Sequence, residues 1–133
     1  MFVCRMVADK WSGVLCVDEE IYSPTIKDLE CFVDALDASV RTLVSLYGPD
    51  DSSLSIGGGS GRYIVFFSAT DGSFWNLVAD SDWGDELIRL NVGGQEGEFV
   101  AKQVVGKDEM LRAARTFFCT GRLDPRALWE KQA

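Results

Sequence analysis

Twenty-one aspartates and glutamates, thirteen lysines and arginines and no histidine decide what chemistry this 133-residue chain can attempt. Without an imidazole, neither a Ser-His-Asp nor a Cys-His relay can be assembled, and the commonest general base and metal ligand is missing. Carboxylates remain. A pair facing each other across a cleft could act as acid and base in glycoside hydrolysis. The densest carboxylates here are instead Asp80, Asp82, Asp85 and Glu86, all within Asp80-Ser81-Asp82-Trp83-Gly84-Asp85-Glu86. Grouped on one segment they cannot flank a substrate, so no enzyme and no cofactor are expected. Cys4, Cys16, Cys31 and Cys119 are widely scattered and form no C-x-x-C pair, which argues against a zinc site and against a disulfide scaffold. They are expected to be reduced thiols packed in the core. Gly57-Gly58-Gly59-Ser60-Gly61 lacks the lysine of a phosphate-binding loop and leads into strand rather than helix, so a hairpin turn is expected there and not a nucleotide cradle.

With chemistry nearly absent, binding becomes the expected role. The net charge of −8 opposes nucleic acid and anionic membrane as direct ligands and favours a cationic partner. Asp80, Asp82, Trp83, Asp85 and Glu86 are the primary candidates for that contact. The carboxylates belong to a solvated loop, and Trp83 serves either as a desolvated anchor or as cover for a sheet edge. Asp18, Glu19, Glu20, Asp50 and Asp51 form secondary acidic sites, expected in solvated turns. Trp75 and Trp129 suit packing roles, and the pattern around Trp11 does not decide. The first ten residues carry Arg5, Asp9 and Lys10 and so lack the apolar core of a signal peptide. No stretch reaches the roughly 18 apolar residues of a membrane span. A cytoplasmic location is expected.

The elements that must position these residues read as α+β. Residues 2–8 and 14–17 suggest an opening hairpin turning at Ser12-Gly13. Thr25 with Asp28 forms a capping-box start, and Ile26, Leu29, Phe32, Val33 and Leu36 recur at helical spacing, which predicts a helix over about 25–37. Strands are expected over 40–47, around Leu54 and Ile56, and over 63–69, the last apolar on both faces and therefore central. Asp71-Gly72 joins that strand to 73–79 as a hairpin. The meander is expected to continue through 87–92 and a strand beginning at Phe99. A second helix is expected over about 107–120, with Asp108 and Glu109 in its first turn and Gly121 as its stop. The sum is one domain over 1–133: a mainly antiparallel sheet of about six or more strands packed with two helices.

Part of this order resembles a known family. Gly61-Arg62-Tyr63-Ile64-Val65-Phe66-Phe67, the Asp71-Gly72 hairpin, and Val104-Val105 leading to Ala113-Ala114-Arg115-Thr116-Phe117-Phe118-Cys119-Thr120-Gly121-Arg122, then Pro125 and Trp129, are similar to the deaminase-associated immunity proteins of bacterial polymorphic toxin systems, the first-numbered family among them. The likeness covers roughly the last 80 residues, including an A-x-x-F-x-x-x-G ending at Gly121. It departs where Leu123-Asp124 precede Pro125, a place at which similar proteins often set the proline directly after a basic pair. The resemblance implies an immunity protein that binds a cognate toxin domain, a cytidine deaminase acting on nucleic acid, and blocks substrate access. Immunity to a nuclease toxin and a non-catalytic acidic interaction module are the alternatives.

Overall fold

Thr25 starts the first helix by local chemistry. Its hydroxyl accepts the backbone N–H of Asp28 at 3.2 Å, and Asp28 Oδ2 accepts the N–H of Thr25 at 2.8 Å, which satisfies two donors that a helix start leaves without partners. In the computed structural model, which describes residues 1–79 and 84–132, this helix (α1) is Ile26–Asp34. It stops short of residue 37 because Asp37 caps a loop instead. Asp37 Oδ1 accepts the N–H groups of Ser39, Val40 and Arg41 at 2.9, 2.9 and 3.0 Å. Those contacts also hold Val40 out of the following strand, which begins at Leu43. The second helix (α2, Lys107–Thr120) has the expected bounds and ends on left-handed Gly121, whose N–H bonds Phe117 O at 2.8 Å.

Among the described residues nine strands accompany them: β1 Arg5–Ser12, β2 Leu15–Tyr22, β3 Leu43–Tyr47, β4 Ser53–Gly59, β5 Arg62–Ser68, β6 Phe74–Val78, β7 Leu87–Val92, β8 Gln95–Val100 and β9 Leu128–Lys131. Seven form one antiparallel sheet in the order β2-β1-β3-β4-β5-β6-β9, and β7 pairs with β8 alone. The fold is therefore α+β, as expected, with β5 well inside the sheet. The helices cover one face. Met6, Val44, Leu46, Leu54, Ile56, Val65 and Leu77 are buried there with Leu29, Val33, Met110, Phe117 and Phe118 of α1 and α2. The Phe117 ring meets Phe2 and Phe67 edge-on at 5.6 and 5.8 Å, and each such buried side chain contributes about 1.5–3 kcal/mol.

Three further features depart from the sequence reading here. The meander does not run on past β6, because β7–β8 folds as a separate hairpin over the sheet face opposite the helices. Ile88, Leu90, Val92 and Phe99 pack there against Ile64, Phe66 and Val104. The glycines before Ser60 belong to β4 rather than to a turn. A Cβ on Gly57 would lie 2.5 Å from Val92 Cγ1, and one on Gly59 2.6 Å from Ala38 N, so these residues are bare because other chain segments sit on them. The turn itself is Ser60-Gly61, both with positive φ. Finally, all four cysteines are exposed thiols. Cys31 and Cys119 sit off the buried stripes of their helices, and Cys16 lies on β2, the edge strand.

Gly57 offers a direct check on the hairpin's seat. Gly57→Val is expected to cost about 1–3 kcal/mol, the usual range for overpacking, and to speed amide exchange selectively in β7 and β8. Unchanged exchange there would mean that the hairpin does not rest on β4.

Candidate partner-binding surface

The hairpin is held at both ends. At its tip, buried Asp9 accepts Thr42 N at 2.7 Å, Leu43 N at 2.9 Å and Trp11 Nε1 at 2.7 Å, and it also takes the Thr42 hydroxyl. Thr42 Oγ1 in turn accepts Gly94 N at 3.0 Å, which ties the β7–β8 turn to β1. Trp11, undecided from sequence, is thus a structural residue, with Gly94 lying against its ring. At the base, Ala101 N donates to Glu86 O at 3.1 Å and Ala79 N to Lys102 O at 2.7 Å.

The hairpin covers only part of its sheet face. Beside β8 a groove of about 600 Å³ remains. Ile64, Phe66, Phe74 and Asn76 form its floor, Val92, Gly97 and Phe99 its wall, and Gln95, Gln103, Gln132 and Glu96 its polar margin. Phe74 is 50% exposed, and Leu87, Val100 and Leu128, outside the groove lining, are exposed at 57%, 41% and 65%. Leu87 and Val100 are cross-strand partners and Leu128 pairs with Val78, the last residue of β6. An apolar floor with a polar margin is the arrangement of a protein-contact surface.

Of the primary acidic candidates two are described, and neither lines the groove. Asp85 and Glu86 are exposed immediately before β7, where the chain leaves β6 for the hairpin. Asp80, Asp82 and Trp83 lie outside the described residues. The secondary candidates are elsewhere. Asp50 and Asp51 occupy the expected solvated turn between β3 and β4. Hydrogen bonds from the Ser52 hydroxyl and N–H, at 2.6 and 3.0 Å, keep the Asp50 carboxyl below its ordinary value. Asp18, Glu19 and Glu20 are not in a turn, since they form the middle of β2. An edge strand tolerates charges that an inner strand does not. Glu20 pairs with Arg5 at 3.4 Å and Glu19 with Arg41 at 2.5 Å. Five strand spacings separate β2 from β6, about 24 Å, so Asp18 to Glu20 lie across the sheet from the strand that precedes Asp85 and Glu86.

Trp75 and Trp129 are half-buried. Trp129 packs against the core and belongs to β9, a strand not foreseen from sequence, where it pairs with Leu77 and donates Nε1 to Asp124 O at 3.1 Å. The groove residues Phe66, Phe74, Asn76 and Phe99 were not singled out from sequence either. The alternation of Phe74 and Asn76 with buried Leu77 was the available signal, but not what would leave their face uncovered.

These features define an α+β protein with an apolar groove of polar margin suited to contact with another macromolecule. Among the described residues no group of three or more His, Cys, Asp or Glu is placed to hold a metal, and no helix is long and apolar enough to cross a membrane. The chain belongs to the family of the immunity protein Imm1, whose family model matches residues 18–131. No curated protein matches it.

Proposed function

We propose that this immunity protein neutralises a cytidine deaminase toxin acting on nucleic acid, by occupying the surface through which the toxin binds its substrate. The observation that carries the reading is the net charge of −8 together with an apolar groove left open beside β8. A toxin that grips phosphates must present basic surface, and acidic side chains complement that surface. Opposite fields also speed encounter, toward about 10⁸–10⁹ M⁻¹s⁻¹ at low salt, which favours capture before damage in the cytoplasm where both chains are made. Asp80, Asp82, Trp83, Asp85 and Glu86 form the charged contact, and Phe66, Phe74 and Phe99 give the desolvated centre that charge alone does not supply.

The test is titration of this protein into the toxin domain encoded beside it, following cytosine-to-uracil conversion and strand cleavage in parallel on the same DNA. Uracil formation that falls in proportion to added protein and ends at one equivalent supports the reading. Cleavage without uracil formation points to a nuclease toxin, and full turnover within a stable complex contradicts blockade. A Phe74→Asp variant is expected to need about tenfold more protein for the same inhibition, on the scale of one lost apolar anchor, while its melting temperature stays within about 2 °C because the ring is half-exposed.

A further inference from the structure

The longest open edge of the sheet is β2. Among the described residues it pairs only with β1, so the hydrogen-bonding groups along its outer side have no neighbouring described strand. Sheet edges are ordinarily kept short, bulged, charged or covered, because a free edge is a template for another strand; the charges of β2 are Asp18, Glu19 and Glu20, all of one sign, which repel an acidic strand and admit a basic one. β2 runs the full length Leu15–Tyr22, paired with β1 at every residue without a bulge. Leu15, Val17 and Tyr22 are 71%, 65% and 69% exposed, and Val14 in the adjoining turn is 92% exposed. Leu15 and Val17 share one face at the start of the strand beside Val14, and apolar side chains this open on a free edge are a contact surface in search of a partner.

We propose that this edge receives an extended basic segment of the toxin as an added strand, a contact separate from the groove; the proposal rests on the toxin-binding reading above. The side chains specify the segment. Alternation puts Cys16, Asp18, Glu20 and Tyr22 on one face and Leu15, Val17, Glu19 and Ile21 on the other. A fitting strand therefore alternates lysine or arginine, set beside Asp18 and Glu20, with apolar residues set beside Leu15 and Val17. Asp9 faces Asp18 across the β1 ladder and adds negative charge to the same face. A second copy of the chain fits poorly. Two-fold pairing centred on the strand sets Asp18 against its own copy, or Glu19 against its own copy with Asp18 opposite Glu20, and like charges directly opposite are destabilising. The family match begins at Asp18, so Val14 to Val17, the apolar half of the edge, lies outside it.

The experiment is amide hydrogen exchange on the intact protein, alone and with the toxin domain encoded beside it. A short synthetic peptide alternating lysine and valine, with a glutamate–valine peptide as control, supplies a second probe. The expected result is slowed exchange in residues 15–22 with the toxin, reproduced by the lysine peptide and not by the glutamate peptide. A variant carrying Val17→Lys, Asp18→Lys and Glu20→Lys, all at exposed positions, is expected to bind the toxin about 10–100-fold more weakly, the range of a lost secondary contact. A complex that forms with exchange in 15–22 unchanged overturns this proposal and leaves the toxin-binding reading intact. Slowing that appears in the protein alone as its concentration rises overturns it in favour of self-association. Failure of any complex to form removes both.

Discussion

Replacing Asp80, Asp82, Asp85 and Glu86 together by lysine is expected to lower affinity for the toxin about a hundredfold at low salt and to flatten its dependence on ionic strength. One exposed ion pair contributes roughly 0.2–1 kcal/mol. Four such contacts turned from attraction to repulsion amount to about 3 kcal/mol, and every 1.4 kcal/mol is about a factor of ten. The loss should fall mainly on the association rate, because exposed charges act by steering at distances comparable to the roughly 10 Å screening length at 0.1 M salt. Folding should be little affected, since Asp85 and Glu86 are exposed and surface substitutions of this kind usually change stability by no more than about 0.5 kcal/mol each. Binding kinetics at two salt concentrations, with a thermal melt of the same sample, check both halves. Unaltered affinity would mean that the toxin docks on another face.

The second large effect is on stability. Asp124 is 1% exposed, and its carboxylate accepts Arg112 Nε at 2.9 Å and Arg126 N at 3.0 Å. Its own carbonyl takes Trp129 Nε1, so this residue fixes the chain as it enters β9 and completes the sheet beside the groove. Burial pushes the Asp124 carboxyl up, but the Arg126 N–H and the Arg112 guanidinium outweigh it, and the group sits below its ordinary value of 3.8. Asp124→Ala removes a buried acceptor of two hydrogen bonds while Arg112 keeps access to water, and is expected to cost on the order of 2 kcal/mol, about 5–10 °C in melting temperature for a chain of this size. The sign of the pH effect follows from the direction of the shift. A carboxyl with a depressed native value contributes its full stabilisation above the unfolded-state value near 3.8 and loses it as pH falls through the native value. The gap between wild type and variant should therefore be constant from about pH 7 to 5 and narrow below about pH 4. Melts across that range check it, and a gap that widens in acid would contradict the assignment.

What the sequence disclosed was what neighbouring residues decide. The Thr25–Asp28 cap, the Gly121 stop of α2, the Asp71-Gly72 connection and the doubly apolar β5 depend on contacts a few residues apart, and each stands where expected. Distant contacts were hidden. Gly57 and Gly59 resemble a turn until Val92 and Ala38 are seen resting on them. Leu87 to Val92 alternates as any half-buried strand does, so its departure from the main sheet left no mark. Leu128–Lys131 is too short to announce itself and exists by pairing with β6. At the binding surface, the exposure of Asp85 and Glu86 was legible because carboxylates in a glycine-containing segment seldom lie in a core. The groove was not, since Phe66 and Phe74 look like core residues until β8 is found to leave them uncovered. Asp18 to Glu20 looked like a turn because charge runs usually are, whereas the strand's position at the sheet edge is a property of the whole topology.

Co-expression with the toxin domain encoded beside this protein tests the central claim most directly, with cell survival and the composition of the purified material as the two readouts. The expected result is survival together with a stoichiometric complex that resists low salt and weakens as salt is raised. Cell death with no complex recovered, from cells in which both chains are present and folded, would contradict the claim that this protein neutralises that toxin by binding it.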